Sequence, residues 1–268
     1  MRTARRAILI LGALAVLLAA GSAGRAEAQS TLEAVKKRGR LVAGVKTDFP
    51  PFGYLDAGGK NLGFDVDVAH HFARALFNDE NQVELVAVTT ASRIPFLQTG
   101  KIDIIIATVT VTEERRQVVE FSNPYFLSGS LLLVPKASPV RGLEDLAGKT
   151  VAVVQGAIQD KDLEQLLPET KRITFGKISE AVLAVTGGRA DAFAYDDILT
   201  LMLAKENPDL KAVGKPFIPR PFGIAVRKGD LEFIKWVNAE LARMRSDGTY
   251  ARLWKKHLAE FESRLIKP

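Results

Sequence analysis

Nine consecutive residues carry the densest chemistry of the chain: Ala107-Thr108-Val109-Thr110-Val111-Thr112-Glu113-Glu114-Arg115. Three hydroxyls alternate at 108, 110 and 112, and two carboxylates and a guanidinium follow. A threonine ahead of two glutamates is the pattern of a helix opening under a Thr cap. Free backbone N–H groups at such a turn, beside an arginine able to grip two oxygens at once, suit a carboxylate. The plainer alternative is a capped helix with a surface arginine.

The elements that must hold this turn follow from periodicity. Ile102-Asp103-Ile104-Ile105-Ile106 is short and β-branched enough to be a buried strand, expected to end at Thr108. Further strands are expected over residues 40–45, 82–88, 130–135, 150–154, 172–175, 190–194 and 222–226. Helices are expected over 63–77, 92–100, 143–147, 160–167, 179–186 and 231–246, and from the break at Gly248 to about 261. Residues 46–52 contain two prolines that interrupt either regular element. Short apolar strands alternating with amphipathic helices define an α/β fold with mainly parallel sheets. The stripe Leu231, Ile234, Trp236, Val237, Leu241 and Met244 reads as core packing.

At the N-terminus, Arg2, Arg5 and Arg6 precede an apolar run over 7–20 and then small residues to Ala28, the three parts of a secretory signal peptide with cleavage expected after Ala28. The apolar run falls short of the ~20 residues that span a bilayer, so an exported soluble protein is expected in preference to an anchored one. Without cysteine there is neither a lipid-attachment thiol nor a disulfide framework, and stability must come from packed cores. The 240 residues left after cleavage suffice for one large domain or two lobes. They carry 33 basic and 30 acidic side chains, a net of +3 that argues against nucleic acid as a partner.

Across nearly all of residues 29–268 the chain resembles the periplasmic amino-acid-binding proteins of polar amino acid ABC importers, the bacterial extracellular solute-binding proteins of family 3. The markers are Pro51-Phe52, Gly63-Phe64-Asp65-Val66-Asp67, Ile94-Pro95-Phe96-Leu97 before Gly100-Lys101-Ile102-Asp103, Thr108-Val109-Thr110 with Glu114-Arg115, Phe121-Ser122 with Pro124-Tyr125, and Ala190-Asp191-Ala192 with Asp196. The resemblance implies a two-lobed, type II periplasmic-binding-protein fold of α/β class, with the ligand cleft between lobes joined by two hinge strands. Lobe 1 would comprise residues 29–124 and 224–268, and lobe 2 residues 125–223. It also implies that Arg115 holds a ligand α-carboxylate, helped by Thr110 with Thr108 and Val109, and that Asp196, beside Tyr195, receives the α-ammonium. A zwitterion in a desolvated cleft needs an opposite charge for each end.

The same resemblance places Phe49 over the ligand, and Gln155, Ala157 and Ile158 where relatives present a Ser-Gly-Thr run. Thr89-Thr90-Ala91-Ser92-Arg93 resembles a segment of glutamate/aspartate-binding members, and Lys46 stands where binders of cationic amino acids carry an acid. Lys46 and Arg93 would therefore put two positive charges at the side-chain end of the pocket and favour an acidic ligand, glutamate or aspartate. The alternatives are another amino acid such as glutamine, and a Lys46 that pairs with Asp48 and points to water.

Rival chemistries find less support. Gly142 and Gly148-Lys149-Thr150 nearly spell a phosphate loop, but the spacing is one residue too long and the run precedes a strand. His70 and His71 point about 100° apart on a helix, which argues against a shared metal. The chain has no Gly-x-Ser-x-Gly nucleophile elbow. Enzymes resembling this family, the cyclohexadienyl dehydratases, need a carboxylic acid in the cleft, for which Asp160 is the nearest candidate. A receptor sensor domain would need a second hydrophobic span. The expectation is thus a monomeric, non-catalytic periplasmic receptor without cofactor or metal, which encloses one amino acid and delivers it to an inner-membrane ABC permease.

Overall fold

The computed structural model describes residues 30–264, so the expected signal peptide lies outside the described residues. The chain opens with helix α1 (Thr31–Arg38), strand β1 (Leu41–Val45), and a small antiparallel sheet of β2 (Asp48–Phe49), β3 (Gly53–Leu55) and β4 (Asn61–Leu62). The prolines at 50 and 51 therefore sit in the turn between β2 and β3, and a two-residue strand survives in a stretch expected to be irregular. Helix α2 (Phe64–Phe77), β5 (Val83–Ala87), α3 (Arg93–Gln98) and β6 (Ile104–Thr110) follow, then the one-turn helix α4 (Glu113–Arg116) and β7 (Val119–Phe121).

A long strand, β8 (Phe126–Pro135), leads through a 3-10 turn (Leu143–Leu146) into β9 (Thr150–Val154), α5 (Gln159–Leu166), β10 (Lys171–Phe175), α6 (Ile178–Thr186), β11 (Ala192–Asp196) and α7 (Asp197–Glu206). Strand β12 (Leu210–Arg227) returns the chain to α8 (Leu231–Ser246), α9 (Thr249–His257) and a final 3-10 segment (Ala259–Arg264). Helices α1 and α7, and most of β12, were not expected from the sequence.

The main sheet has nine strands, eight of them in the order β10-β9-β11-β8-β12-β6-β1-β5, with β7 paired to β12. Pairing is parallel within β5/β1/β6 and within β10/β9/β11, and antiparallel around β8 and β12. The sheet is mixed, not mainly parallel. Strand β12 pairs with β8 from Leu210 to Phe222, then with β6 and β7 from Phe222 to Arg227. β8 and β12 are thus the strands through which the chain passes between the two parallel groups.

The unbroken apolar run of β6 is explained by burial on both faces. Ile104 and Ile106 enter one core with Phe64, Phe72 and Phe233, while Ile105, Ala107 and Val109 enter a second with Leu97 and Val119. Strand β9 divides the same way, Ala152 and Val154 against Val151 and Val153. With both faces covered, only the strand ends are left to present polar groups, and the two parallel groups end in the segments that hold the candidate site residues. That is where open α/β sheets bind ligands.

Candidate functional site

Strand β6 runs two residues beyond the expected end, to Thr110. Thr112 does cap α4, its hydroxyl accepting the Arg115 N–H at 3.2 Å. The single turn of α4 leaves that amide engaged internally. Half-buried Arg115 donates from Nη1 to the Thr110 carbonyl at 2.7 Å and from Nη2 to the Gly156 carbonyl at 2.9 Å. Its burial and the nearby Arg93 charge lower its pKa, yet a guanidinium stays charged at neutral pH.

Arg93, at the first turn of α3, is 3% exposed and donates from Nη1 to the carbonyls of Ala107 at 2.5 Å and Thr108 at 3.2 Å. Lys46, just beyond β1, is 1% exposed. Its Nζ lies 2.9 Å from Asp48 Oδ1 and 3.3 Å from Thr90 Oγ1. Lys46 therefore pairs with Asp48 but does not point to water. Burial lowers its pKa, while Asp48 acts in the other direction. Thr90 in turn shares a 2.9 Å hydrogen bond with the Tyr195 hydroxyl. Buried Phe49 packs its ring 5.5 Å from Phe52 and 5.8 Å from Tyr195.

From the other group of strands, β11 ends in Tyr195 and Asp196, both buried. Gln159 Nε2 donates to Asp196 Oδ1 at 3.1 Å and to Ser130 Oγ at 2.9 Å. Burial, with the adjacent Asp197, pushes the Asp196 carboxyl up to about 7, against the pull of Gln159, Arg93 and Arg115. Asp196 and Arg115 thus lie near enough for each to feel the other's charge. Val109 sends its side chain into the core and leaves only backbone for a ligand, whereas Thr108 and Thr110 are buried polar residues on the same strand end. Gln155 is exposed, with Ala157 and Ile158 half-buried.

The backbones of the two groups approach closely at one point. Gly156, at φ +78°, lies so near Thr90 and Ala91 that an added Cβ would sit 2.9 Å from the Ala91 Cα. On the outer rim Lys161 and Glu114 pair at 2.5 Å.

Sequence reasoning missed Gln159, Ser130 and the cluster under Thr108. There, buried Asp65 accepts the Thr108 N–H at 3.0 Å and the Tyr125 hydroxyl at 3.3 Å. Asp65 lay inside a quoted family marker, and an acid embedded in an apolar helix start was the available signal. Asp160 is taken up by Arg172 at 2.8 Å. His70 and His71 turn to different partners, the Glu80 carbonyl and Glu240. Among the described residues no group of His, Asp and Glu could hold a metal ion.

A hollow of about 1060 Å³ between α2, α8 and α9 is lined by mixed charges, His70 and His71 among them, and by none of Lys46, Arg93, Arg115, Tyr195 and Asp196. A smaller pocket of about 570 Å³ has Asp48 and Thr47 in its wall. Chemistry, not size, singles out the strand ends.

The family described as bacterial extracellular solute-binding proteins, family 3, matches residues 41–260. A glutamine-binding protein of an ABC transporter from Bacillus subtilis (strain 168) is 38% identical over 256 residues, covering 95% of this chain and 94% of that protein. Among solved structures, a solute receptor for L-cysteine from Neisseria gonorrhoeae aligns with a TM-score of 0.84 and 35% identity over 89% of this chain and 98% of that one. An ancestral amino-acid-binding protein, described as a precursor of cyclohexadienyl dehydratase, aligns with a TM-score of 0.79 and 39% identity over 85% and 99%.

Proposed function

The chain belongs to the bacterial extracellular solute-binding proteins, family 3, and on that premise we propose that it is a receptor that encloses glutamine and hands it to an ABC importer. Membership of this family, with its amino-acid-binding relatives, places the protein outside the cytoplasmic membrane, in the periplasm or beyond. The α-carboxylate goes to Arg115 and the α-ammonium to Asp196. Lobe 1 is residues 29–124 with 224–268, lobe 2 is 125–223, and β8 and β12 are the hinge strands; the change of partner by β12 at Phe222 supports that division. Ligand contacts that span both lobes favour the closed form, which the permease then recognises.

The observation that carries the choice of ligand is the Lys46–Asp48 pair at 2.9 Å. Asp48 offsets the lysine charge at the side-chain end, so that pair carries no net charge, while Arg93 keeps its charge but directs Nη1 into the backbone carbonyls of Ala107 and Thr108. A neutral amide can donate to Asp48 and accept from Lys46, whereas a carboxylate would face Asp48. The acidic-ligand expectation thus yields to its glutamine alternative, in keeping with the glutamine-binding relative. The catalytic alternative draws little support, since Asp160 is paired with Arg172 outside the Arg115–Asp196 field. Titration calorimetry on protein freed of bound ligand should give tighter binding for glutamine than for glutamate or arginine. Asp48→Asn should shift preference toward glutamate. Wild-type protein that favours glutamate would restore the acidic reading.

A further inference from the structure

Thr108 is a β-branched residue held at φ +48°, a backbone region that such side chains rarely adopt. The sheet is irregular at the same place. Between Gly223 and Ala225 of β12 the partner on β6 moves from Val109 to Ile105, so β6 spans four residue steps where β12 spans two. A bulge of this kind bends the strand and re-aims what lies beyond it. Here that is Thr110, whose carbonyl receives the Arg115 guanidinium.

Two buried ionisable groups, the Asp65 carboxyl, which burial pushes up to about 7, and the Arg93 guanidinium, grip the bulge from opposite ends of one residue. Asp65 Oδ2, at the start of α2, accepts the Thr108 N–H at 3.0 Å, and Arg93 Nη1 donates to the carbonyls of Ala107 and Thr108. The Tyr125 hydroxyl completes the set: it accepts from the Thr108 N–H at 3.2 Å and donates to Asp65. Tyr125 immediately precedes β8, so the same carboxylate touches the bulged strand end and the root of a connecting strand. Asp65 Oδ1 and Arg93 Nε are buried without a hydrogen-bond partner. Leaving polar atoms unsatisfied costs stability, and strained backbone persists only where its surroundings over-determine it.

We propose that Asp65 is a positioning residue for the ligand site, clamping Thr108 in its left-handed conformation so that Thr110 and Arg115 are aimed before a ligand arrives. It touches no ligand itself. The clamp rests on the amino-acid-receptor reading given above. It deepens that reading by adding a buried acid behind the strand end, one hydrogen bond from Thr108, on which affinity depends.

The test is calorimetric titration of glutamine, well below the melting temperature, into wild type, Asp65→Ala, Asp65→Asn, Thr108→Gly and the Asp65→Ala/Thr108→Gly double variant. Asp65→Ala should bind at least ~tenfold more weakly, because the Thr108 N–H loses its 3.0 Å carboxyl acceptor and the strained strand end its clamp. Asp65→Asn, which keeps an acceptor oxygen, should recover most of that loss. Glycine adopts the left-handed conformation without strain, so the losses in the double variant should be clearly less than additive. Additive losses, or Asp65→Ala protein that melts lower yet binds with wild-type affinity, would reduce Asp65 to a merely structural group and overturn the proposal. If Asp65→Ala does not fold, Asp65→Leu, which removes the acceptor and keeps the volume filled, takes its place in the same cycle with Thr108→Gly. Wild type that binds none of the twenty amino acids would sink the receptor reading instead, a result distinct from either outcome for the clamp.

Discussion

The two sides of the cleft hold their charges by different means. On one side Arg93 and Arg115 are tied to main-chain oxygens of β6, and Arg115 also to the carbonyl of Gly156. Their geometry is set by backbone, and no carboxylate is spent on them. On the other side Asp196 has one neutral donor, Gln159, and a like charge next to it in Asp197. The carboxylate is pushed up to about 7 and so stands near its midpoint of ionisation at neutral pH. At neutral pH a cation fixed by dipoles is ready for an anion, whereas an acid in this position is only part ionised there until an ammonium comes to it.

The sharpest way to break the contrast is to remove the fixed side. Arg115→Ala should weaken amino-acid binding by ~2 kcal/mol or more, the loss of a bidentate charge-assisted pair, as read by calorimetry. Unchanged affinity would move the carboxylate site elsewhere. The loose side predicts a pH dependence. The ligand ammonium needs ionised Asp196, so affinity should rise as pH is raised through about 7 and level off above it, with a slope up to ~1.4 kcal/mol per unit below.

Ligand-free stability should move the opposite way. A folded pKa raised above the unfolded one makes the native state hold the extra proton between about pH 4 and 7. The contribution is then full below pH 4 and lost as pH rises through 7. The difference in melting temperature between wild type and Asp196→Asn, followed from pH 4.5 to 8, isolates that contribution. A difference that does not vary with pH would show that Asp196 titrates in its ordinary range. The smallest effect belongs to the rim: Glu114→Gln breaks the exposed pair with Lys161 and should change affinity less than about threefold, and only at low salt.

Much of this was legible in the sequence, because strands such as β6 and β9 announce themselves by β-branched runs whose alternate residues fill two cores. The gathering of Lys46, Thr90, Arg115, Tyr195 and Asp196 came from the order of several weak markers. What stayed hidden depends on contacts distant in sequence. Strand β12 carries Pro216, Pro219 and Pro221, which locally read as breakers. The strand tolerates Pro216 and Pro219 because its register with β8 shifts between Val213 and Phe217 and again between Phe217 and Arg220. Helix α7 opens on the unbroken run Ile198-Leu199-Thr200-Leu201-Met202-Leu203, which has no helical period to read. For Arg93, nothing local tells that a bulged strand fourteen residues on will offer it two carbonyls.

Gly156 meets Ala91 main chain to main chain, with no room for even a methyl group between them. At that point a residue larger than glycine would hold the two sides apart whatever the neighbouring side chains. Elsewhere they are joined by side chains, Thr90 to Tyr195 and Glu114 to Lys161. Replacing one hydrogen atom by a methyl group at 156 would thus alter how the two sides meet without touching any charge.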